Sequence, residues 1–174
     1  MAVIASPAVR IALVVVALLA LGYVGSLSYL GAVSRRPRPA GLRGGELRPC
    51  RRARNCVCSR PGCGGKAVEP LVFAGPPEAA LERLAAVLAA LPRTRVVLRD
   101  GGYLHAEARS RLFGFVDDFE AQLDPAAGVF HVRSSSRVGV ADRGVNRRRV
   151  EEVRRGFSAA ATATATPPGH WRWR

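Results

Sequence analysis

Between Ile11 and Val33 the chain carries no charged residue, and that run constrains everything built behind it. Its roughly 23 residues, wound as a helix at about 1.5 Å each, reach about 34 Å, enough to cross the hydrocarbon core of a bilayer. Residues 1–33 are therefore expected to form a membrane anchor. A cleaved signal peptide is the rival reading, because Arg10 precedes the strongly apolar stretch Ile11 to Leu21. The small-residue cleavage pattern is poor, however, with Leu30 and Ala32 at its two key positions and leucine too large for one of them. No cysteine follows closely enough to be lipidated. The residues favour an uncleaved, single-pass transmembrane helix, with the signal peptide kept as the alternative.

Behind the anchor the charge is unevenly placed. The whole chain has a formal net charge of +14, a value that raises nucleic acid or an acidic membrane surface as a partner. Residues 34–66 hold ten basic residues against the single acid Glu46, whereas residues 67–157 hold 14 basic against 12 acidic. The basicity thus belongs mostly to the segment beside the membrane. With a nearly balanced core and few aromatics to stack on bases, nucleic acid is not the expected partner. Anionic lipid headgroups are, since each arginine near such a surface contributes on the order of 1 kcal/mol. An ordinary stop-transfer flank explains the same residues.

The rest of the chain divides by pattern. Residues 34–66, rich in Arg, Gly and Pro, have no apolar periodicity and read as a linker merging into a loop that holds all four cysteines. The domain is assigned to residues 67–157. After the short apolar run Pro70 to Phe73, residues Leu81, Leu84, Ala85, Leu88 and Leu91 recur at helical spacing between Pro77 and Pro92. Thr94 to Arg99 then reads as a strand, and Asp100-Gly101 as a tight hairpin into Tyr103 to Ser110. Val116 to Leu123 and Val129 to Ser136 follow as two further strands. Asp142 suits the N-cap of a second helix running to Gly156, with Val150, Val153 and Phe157 on its inner face. The expected fold is α+β: an antiparallel four-stranded meander with two flanking helices, behind the transmembrane helix. Residues 158–174, an Ala/Thr run ending in Trp171-Arg172-Trp173-Arg174, are expected to be a disordered tail, although its tryptophans and arginines also suit a membrane interface.

Alternation places Leu104, Ala106 and Ala108 on one sheet face and Tyr103, His105, Glu107 and Arg109 on the other. The polar face would also collect Asp118, Glu120, His131 and Arg133, either as solvent-facing cross-strand ion pairs or as groups able to do acid and base work. Asp117 would face inward, where its charge needs a partner. Between Arg133 and Arg149, Ser136, Arg137, Asn146 and Arg147 cluster around a helix start, whose unpaired N–H groups can take a phosphate, carboxylate or lipid headgroup. The competing reading is structural: Arg137 pairs with the inward Asp117, beside Asp142, and locks the last helix onto the sheet. Cys50, Cys56, Cys58 and Cys63 could close a tetrahedral zinc site but lack the paired spacing of common ones, which favours disulfides if the domain faces an oxidising compartment and leaves zinc or reduced thiols as the alternatives. No metal and no cofactor is implied. No nucleophile elbow, phosphate loop or zinc-protease helix is present.

Several blocks taken together carry a resemblance. They are Gly41-Leu42, Leu47-Arg48-Pro49-Cys50, Asn55-Cys56-Val57, Tyr103-Leu104-His105-Ala106-Glu107 and Arg109 through Asp118. His131-Val132-Arg133-Ser134, Ser136-Arg137-Val138-Gly139, Asp142, Gly144 and Asn146-Arg147 complete the set. In order and spacing they resemble the domain of unknown function 1499 family over most of residues 41–157. The resemblance implies a single bacterial-type or organelle-type domain, often behind a signal or membrane anchor, and brings no activity with it. Cys58 stands where the family pattern usually has Ser, and Cys63 is additional. Because the resemblance covers Cys50 and Cys56, it implies a bridge between them, with Cys58 and Cys63 as a second candidate pair.

The charges flanking the anchor and the cysteines behind it point to opposite sides of the membrane. Arg35, Arg36, Arg38 and Arg43 follow the anchor, against Arg10 and the terminal amine before it, which places the domain in the cytoplasm. The cysteines and the resemblance point outward. The extracytoplasmic side is the expectation, with the cytoplasmic side left open. The expected function is a non-catalytic binding or envelope-maintenance module for an anionic ligand or lipid headgroup. The alternative is an unrecognised enzyme using the Asp, Arg and His residues of the sheet face.

Overall fold

The computed structural model describes residues 6–37, 41–50, 54–63 and 67–165, with side chains through Thr162. Arg38, Arg51, Arg52, Lys66, Trp171 and Trp173 lie outside the described residues, and so do the readings placed on them. Helix α1 runs from Pro7 to Ser34, with proline in its first turn where the missing N–H costs nothing. It is long and apolar enough to cross a membrane. Its flanks are open along most of its length, and only Gly31 and Ser34 at its end are buried.

The four expected sheet segments form as a meander, β5 (Thr94–Asp100), β6 (Tyr103–Arg109), β7 (Val116–Asp124) and β8 (Val129–Ser136). Before them in the chain come β1 (Leu42–Arg43), β2 (Glu46–Leu47), β3 (Cys56–Cys58), β4 (Leu71–Val72) and helix α2 (Pro77–Ala90); helix α3 (Val145–Ala165) follows. The sheet has six strands rather than four, in the order β3-β8-β7-β6-β5, with β4 also on β8. Strands β3 and β4 share the outer edge of β8, the first opposite Arg133 to Ser135 and the second opposite Val129 and Phe130. At three and two residues they are too short to show the alternation by which a strand is read. The segment expected as a linker therefore contributes to the sheet, and β1 and β2 form a hairpin of their own.

Helices α2 and α3 both pack on one sheet face. Leu81, Leu84 and Leu88 of α2 and Val150, Val153 and Phe157 of α3 meet Leu104, Ala106, Phe119, Ala121, Phe130 and Val132. Val57 of β3 joins this core. Each fully buried Leu, Val or Phe contributes about 1.5–3 kcal/mol through the apolar area it removes from water. Phe130 anchors the centre, with its ring 5.2 Å from that of Phe73 and edge-on at 5.8 Å to that of Phe157. Helix α3 starts three residues after Asp142 and continues past Gly156 to Ala165, taking in part of the expected tail. Alanines 159–161 have the highest helix propensity of any residue, and the packed turns before them supply the nucleus that a free tail lacks.

Candidate functional site

On the sheet face away from the helices, the register lines the polar side chains into three rungs. Glu107, Asp118 and Ser135 form one, His105, Glu120 and Arg133 the next, and Tyr103, Gln122 and His131 the third. Solvent does not bathe this face, contrary to the expectation of exposed ion pairs: Asp118 is 8% exposed, His105 6%, Arg137 4% and Glu120 2%. The cover is the chain that follows α1. Gly41 donates its N–H to the Tyr103 hydroxyl at 3.1 Å, and a Cβ at Gly41 would collide with the Glu120 carboxylate, so glycine permits this crossing. Leu47 N–H donates to Gln122 Oε1 at 3.3 Å, and the Gln122 amide donates to the Gly45 carbonyl. At the β8 edge, Cys50–Cys56 and Cys58–Cys63 disulfides close the cover, with Cys56 and Cys58 opposite Ser135 and Arg133.

Buried charges at this depth need partners, and they have them. Arg137 donates from Nε and Nη2 to Asp118 at 2.7–3.1 Å, and from Nη2 to Glu107 at 2.8 Å. From Nη1 it donates to the carbonyls of Ser34 and Arg36, both at 3.2 Å, so one guanidinium clasps the end of α1 to the sheet. Ser34 Oγ accepts the Val116 N–H at 3.0 Å, and Arg35 reaches the Phe113 carbonyl. Gly31 lets the Phe113 backbone come against the helix where any Cβ would clash. For Asp118, burial favours the neutral acid, but hydrogen bonds from His105 and Arg137 and the arginine's charge together hold its pKa below the usual value. The same balance, with Arg137, Arg95 and Arg109 as the charges, lowers that of Glu107. Tyr103 moves upward, through burial and then through Glu120, whose carboxylate accepts its hydroxyl at 2.7 Å.

A cavity of about 80 Å³ opens in this face, lined by Gly41, Arg48, His105, Asp118, Glu120, Arg133 and Ser135. Its carboxylates are engaged: Asp118 by Arg137 and His105, Glu120 by Tyr103 and Arg133. Several donors are not. Arg133 Nε is buried without a protein partner, and neither Arg48 nor the Ser135 hydroxyl bonds to the described residues. His105 Nε2 lies 2.8 Å from Asp118 Oδ1. An ionised carboxylate only accepts, so Nε2 carries the proton and Nδ1 is left unengaged. Among the described residues, no group of three or more His, Cys, Asp or Glu could hold a metal ion.

The residues expected to form an anion site do not converge. Ser136 and Asn146 meet on the helix side, where the buried Asn146 amide donates to Ser136 Oγ, the Asn55 carbonyl and Asp142 at 2.8–3.0 Å. Arg137, one residue further along the strand direction, points to the opposite face. Arg147 lies outside, donating to the Ala67 carbonyl at 2.9 Å. The start of α3 already holds an anion: Asp142 accepts the N–H groups of Gly144 and Asn146 at 2.9 and 3.0 Å, which keeps its pKa low against the effect of burial. In the expected ion pair, Asp117 and Arg137 are separated by the sheet. Asp117 does face inward, but its partner is Arg149 at 2.7 Å, and Arg149 also donates to Asn146 and Ser134. Arg48 and Ser135 were missed as site residues. Arg48 stood within the block Leu47-Arg48-Pro49-Cys50, and parity along β8 assigned Ser135 to the polar face.

A family model described as Protein of unknown function (DUF1499) matches residues 46–157, more than half of the 174-residue chain. The chain belongs to this family. The match takes in β2 through most of α3, and so includes Arg48, both disulfides and all three rungs. Searches of curated proteins and of solved structures each gave no match.

Proposed function

We propose that this DUF1499 member is a non-catalytic binding module, held on a membrane by α1, whose ligand presents a small anionic group to the rung-face cavity. The observation that supports this is the grouping of Arg48, Arg133 and Ser135 around a space whose carboxylates are already paired, with Arg133 Nε buried and without a protein partner. A buried donor without a partner costs about 1–3 kcal/mol, which a phosphate or carboxylate oxygen would offset. The volume, about that of two or three waters at roughly 30 Å³ each, suits such a group. The two disulfides support an oxidising, extracytoplasmic location for the domain. The full chain in phosphatidylcholine nanodiscs, titrated with inorganic phosphate, tests this reading. Ligand at 100 times its Kd stabilises a folded protein by about 2.7 kcal/mol, so the unfolding temperature should rise with phosphate and Arg48→Gln should abolish the rise. A parent that ignores phosphate, or a variant that responds as the parent does, refutes the proposal.

One observation favours an enzyme instead: Asp118 orients His105 at the wall of a cavity, the arrangement of a general base with its positioning carboxylate. Turnover of a phosphate or carboxylate ester that disappears in His105→Gln, with phosphate binding retained, would establish this second reading.

A further inference from the structure

A second cavity, of about 290 Å³, lies between the last turns of α1 and the domain. One wall is Leu27 and Leu30; the other includes Phe115, Val138 and Val145. Its size is just below the range of roughly 300–1,000 Å³ common for small-molecule pockets. Its chemistry is the reverse of the rung-face cavity. The polar side chains that reach it are spent on the protein itself: Asp117 on Arg149, Ser136 on Asn146, Asp142 on the start of α3 and Ser110 on the Phe115 N–H. What remains to be covered is hydrocarbon.

The occupant follows from where the cavity sits. Leu27 and Leu30 belong to the uncharged stretch Ile11 to Val33, so a space they line opens at the depth of the bilayer rather than into water. The domain's neighbouring loops agree. The loop carrying Leu112 packs its Phe113 backbone on Gly31, and Leu112 itself is 82% exposed. Val140, between the cavity residues Gly139 and Ala141, is also 82% exposed. Large apolar side chains left open on loops beside a membrane-spanning helix are disposed to enter the interface.

We infer that this cleft seats an acyl chain of a phospholipid from the surrounding bilayer, wedged between α1 and the domain. The inference rests on α1 staying in the membrane and is independent of the anion cavity. It is tested with the full chain in phosphatidylcholine vesicles that contain a phosphatidylcholine carrying a diazirine in one acyl chain. Crosslinked residues are read by mass spectrometry. Label is expected on Phe115, Val138 and Val145 as well as on Ile11 to Leu21. Ala141→Trp, which fills the cleft, should lose the first set and keep the second; Val145→Phe serves if the tryptophan variant does not fold. Label on Ile11 to Leu21 with none in the cleft, or cleft label that survives both substitutions, overturns the inference and leaves the anchor standing. Absence of label from both regions removes the anchor reading, and this inference with it.

Discussion

On its helix side the sheet is covered mainly by leucines, valines and phenylalanines from two regular helices; on its other side the same strands are covered by a short hairpin, two disulfides and the end of α1. Buried apolar area is non-directional, so the helix side gains stability from any well-fitting hydrocarbon. The rung face depends on direction, since each of Arg137, Asp118, Glu107, His105 and Glu120 is tolerable only while its particular partner is in place. The difference shows that the same depth of burial can be reached mainly by shape, with a few pairs such as Asp117 and Arg149 at the margin, or mainly by pairing. Neither side is fully paired: Arg133 Nε on the rung face and Arg83 Nε, beside the Phe157 ring on the helix side, are both buried without a protein partner.

The sharpest way to break the comparison is Arg137→Met. It leaves the buried Asp118 and the half-buried Glu107 without their shared partner and frees the end of α1, so a loss of about 3–5 kcal/mol is expected in denaturant unfolding at neutral pH. Leu84→Ala on the helix side should cost about 2–5 kcal/mol by leaving a cavity. The pH dependence then separates the two. Because Asp118 and Glu107 have pKa values below their unfolded ones, near 4, their contribution is complete above that range and is lost as pH falls through the depressed folded values. The cost of Arg137→Met should therefore shrink as the pH falls below the unfolded carboxylate range, whereas that of Leu84→Ala should not. If the two costs keep a constant ratio across pH, the rung face is not held by ionised pairs.

Reducing the disulfides probes the cover rather than the rungs. Both loops are short, with sequence separations of 6 and 5 residues, so each bridge should contribute at the low end of about 2–4 kcal/mol. Reduction should also expose His105 and Asp118 to exchange sooner than any core valine, as hydrogen exchange would register. Smallest is Asp142→Ala, expected to cost about 0.5–2 kcal/mol because it removes the acceptor for two N–H groups at the start of α3. A loss well above that range in calorimetry would mean that Asn146 depends on Asp142 more than the cap alone explains.

Much of the helix side was legible in the chain. Leu81, Leu84 and Leu88 repeat at helical spacing, Asp100-Gly101 marks a hairpin, and Leu104 and Ala106 alternate with polar neighbours, all local signals. The rung face was half legible. Alternation assembled its residues but could not reveal that it is buried, because its cover pairs Gly41 with Tyr103 and Ser34 with Val116, 62 and 82 positions apart. An Arg/Gly/Pro-rich stretch looks like a linker when its folding is supplied by distant partners. The pairing of Arg137 with Asp117 failed on parity that was available: Val132, Ser134 and Ser136 point inward, so Arg137 has to point outward, opposite Asp117. Strand β3 was hidden by brevity, since a Cys-Val-Cys triplet reads as cysteine chemistry before it reads as an edge strand.

The clasp between Arg137 and the carbonyls of Ser34 and Arg36 has a mechanical consequence. A domain on a loose tether averages over all orientations and is indifferent to the lean of its anchor. Here the end of α1 is bonded to the sheet, and in the membrane-spanning arrangement proposed above a hydrophobic stretch of about 34 Å in a core of about 30 Å would take up the mismatch partly by leaning. In that arrangement a thinner bilayer would increase the lean and swing the rung-face cavity with it, so that membrane thickness would set the angle at which the cavity is held.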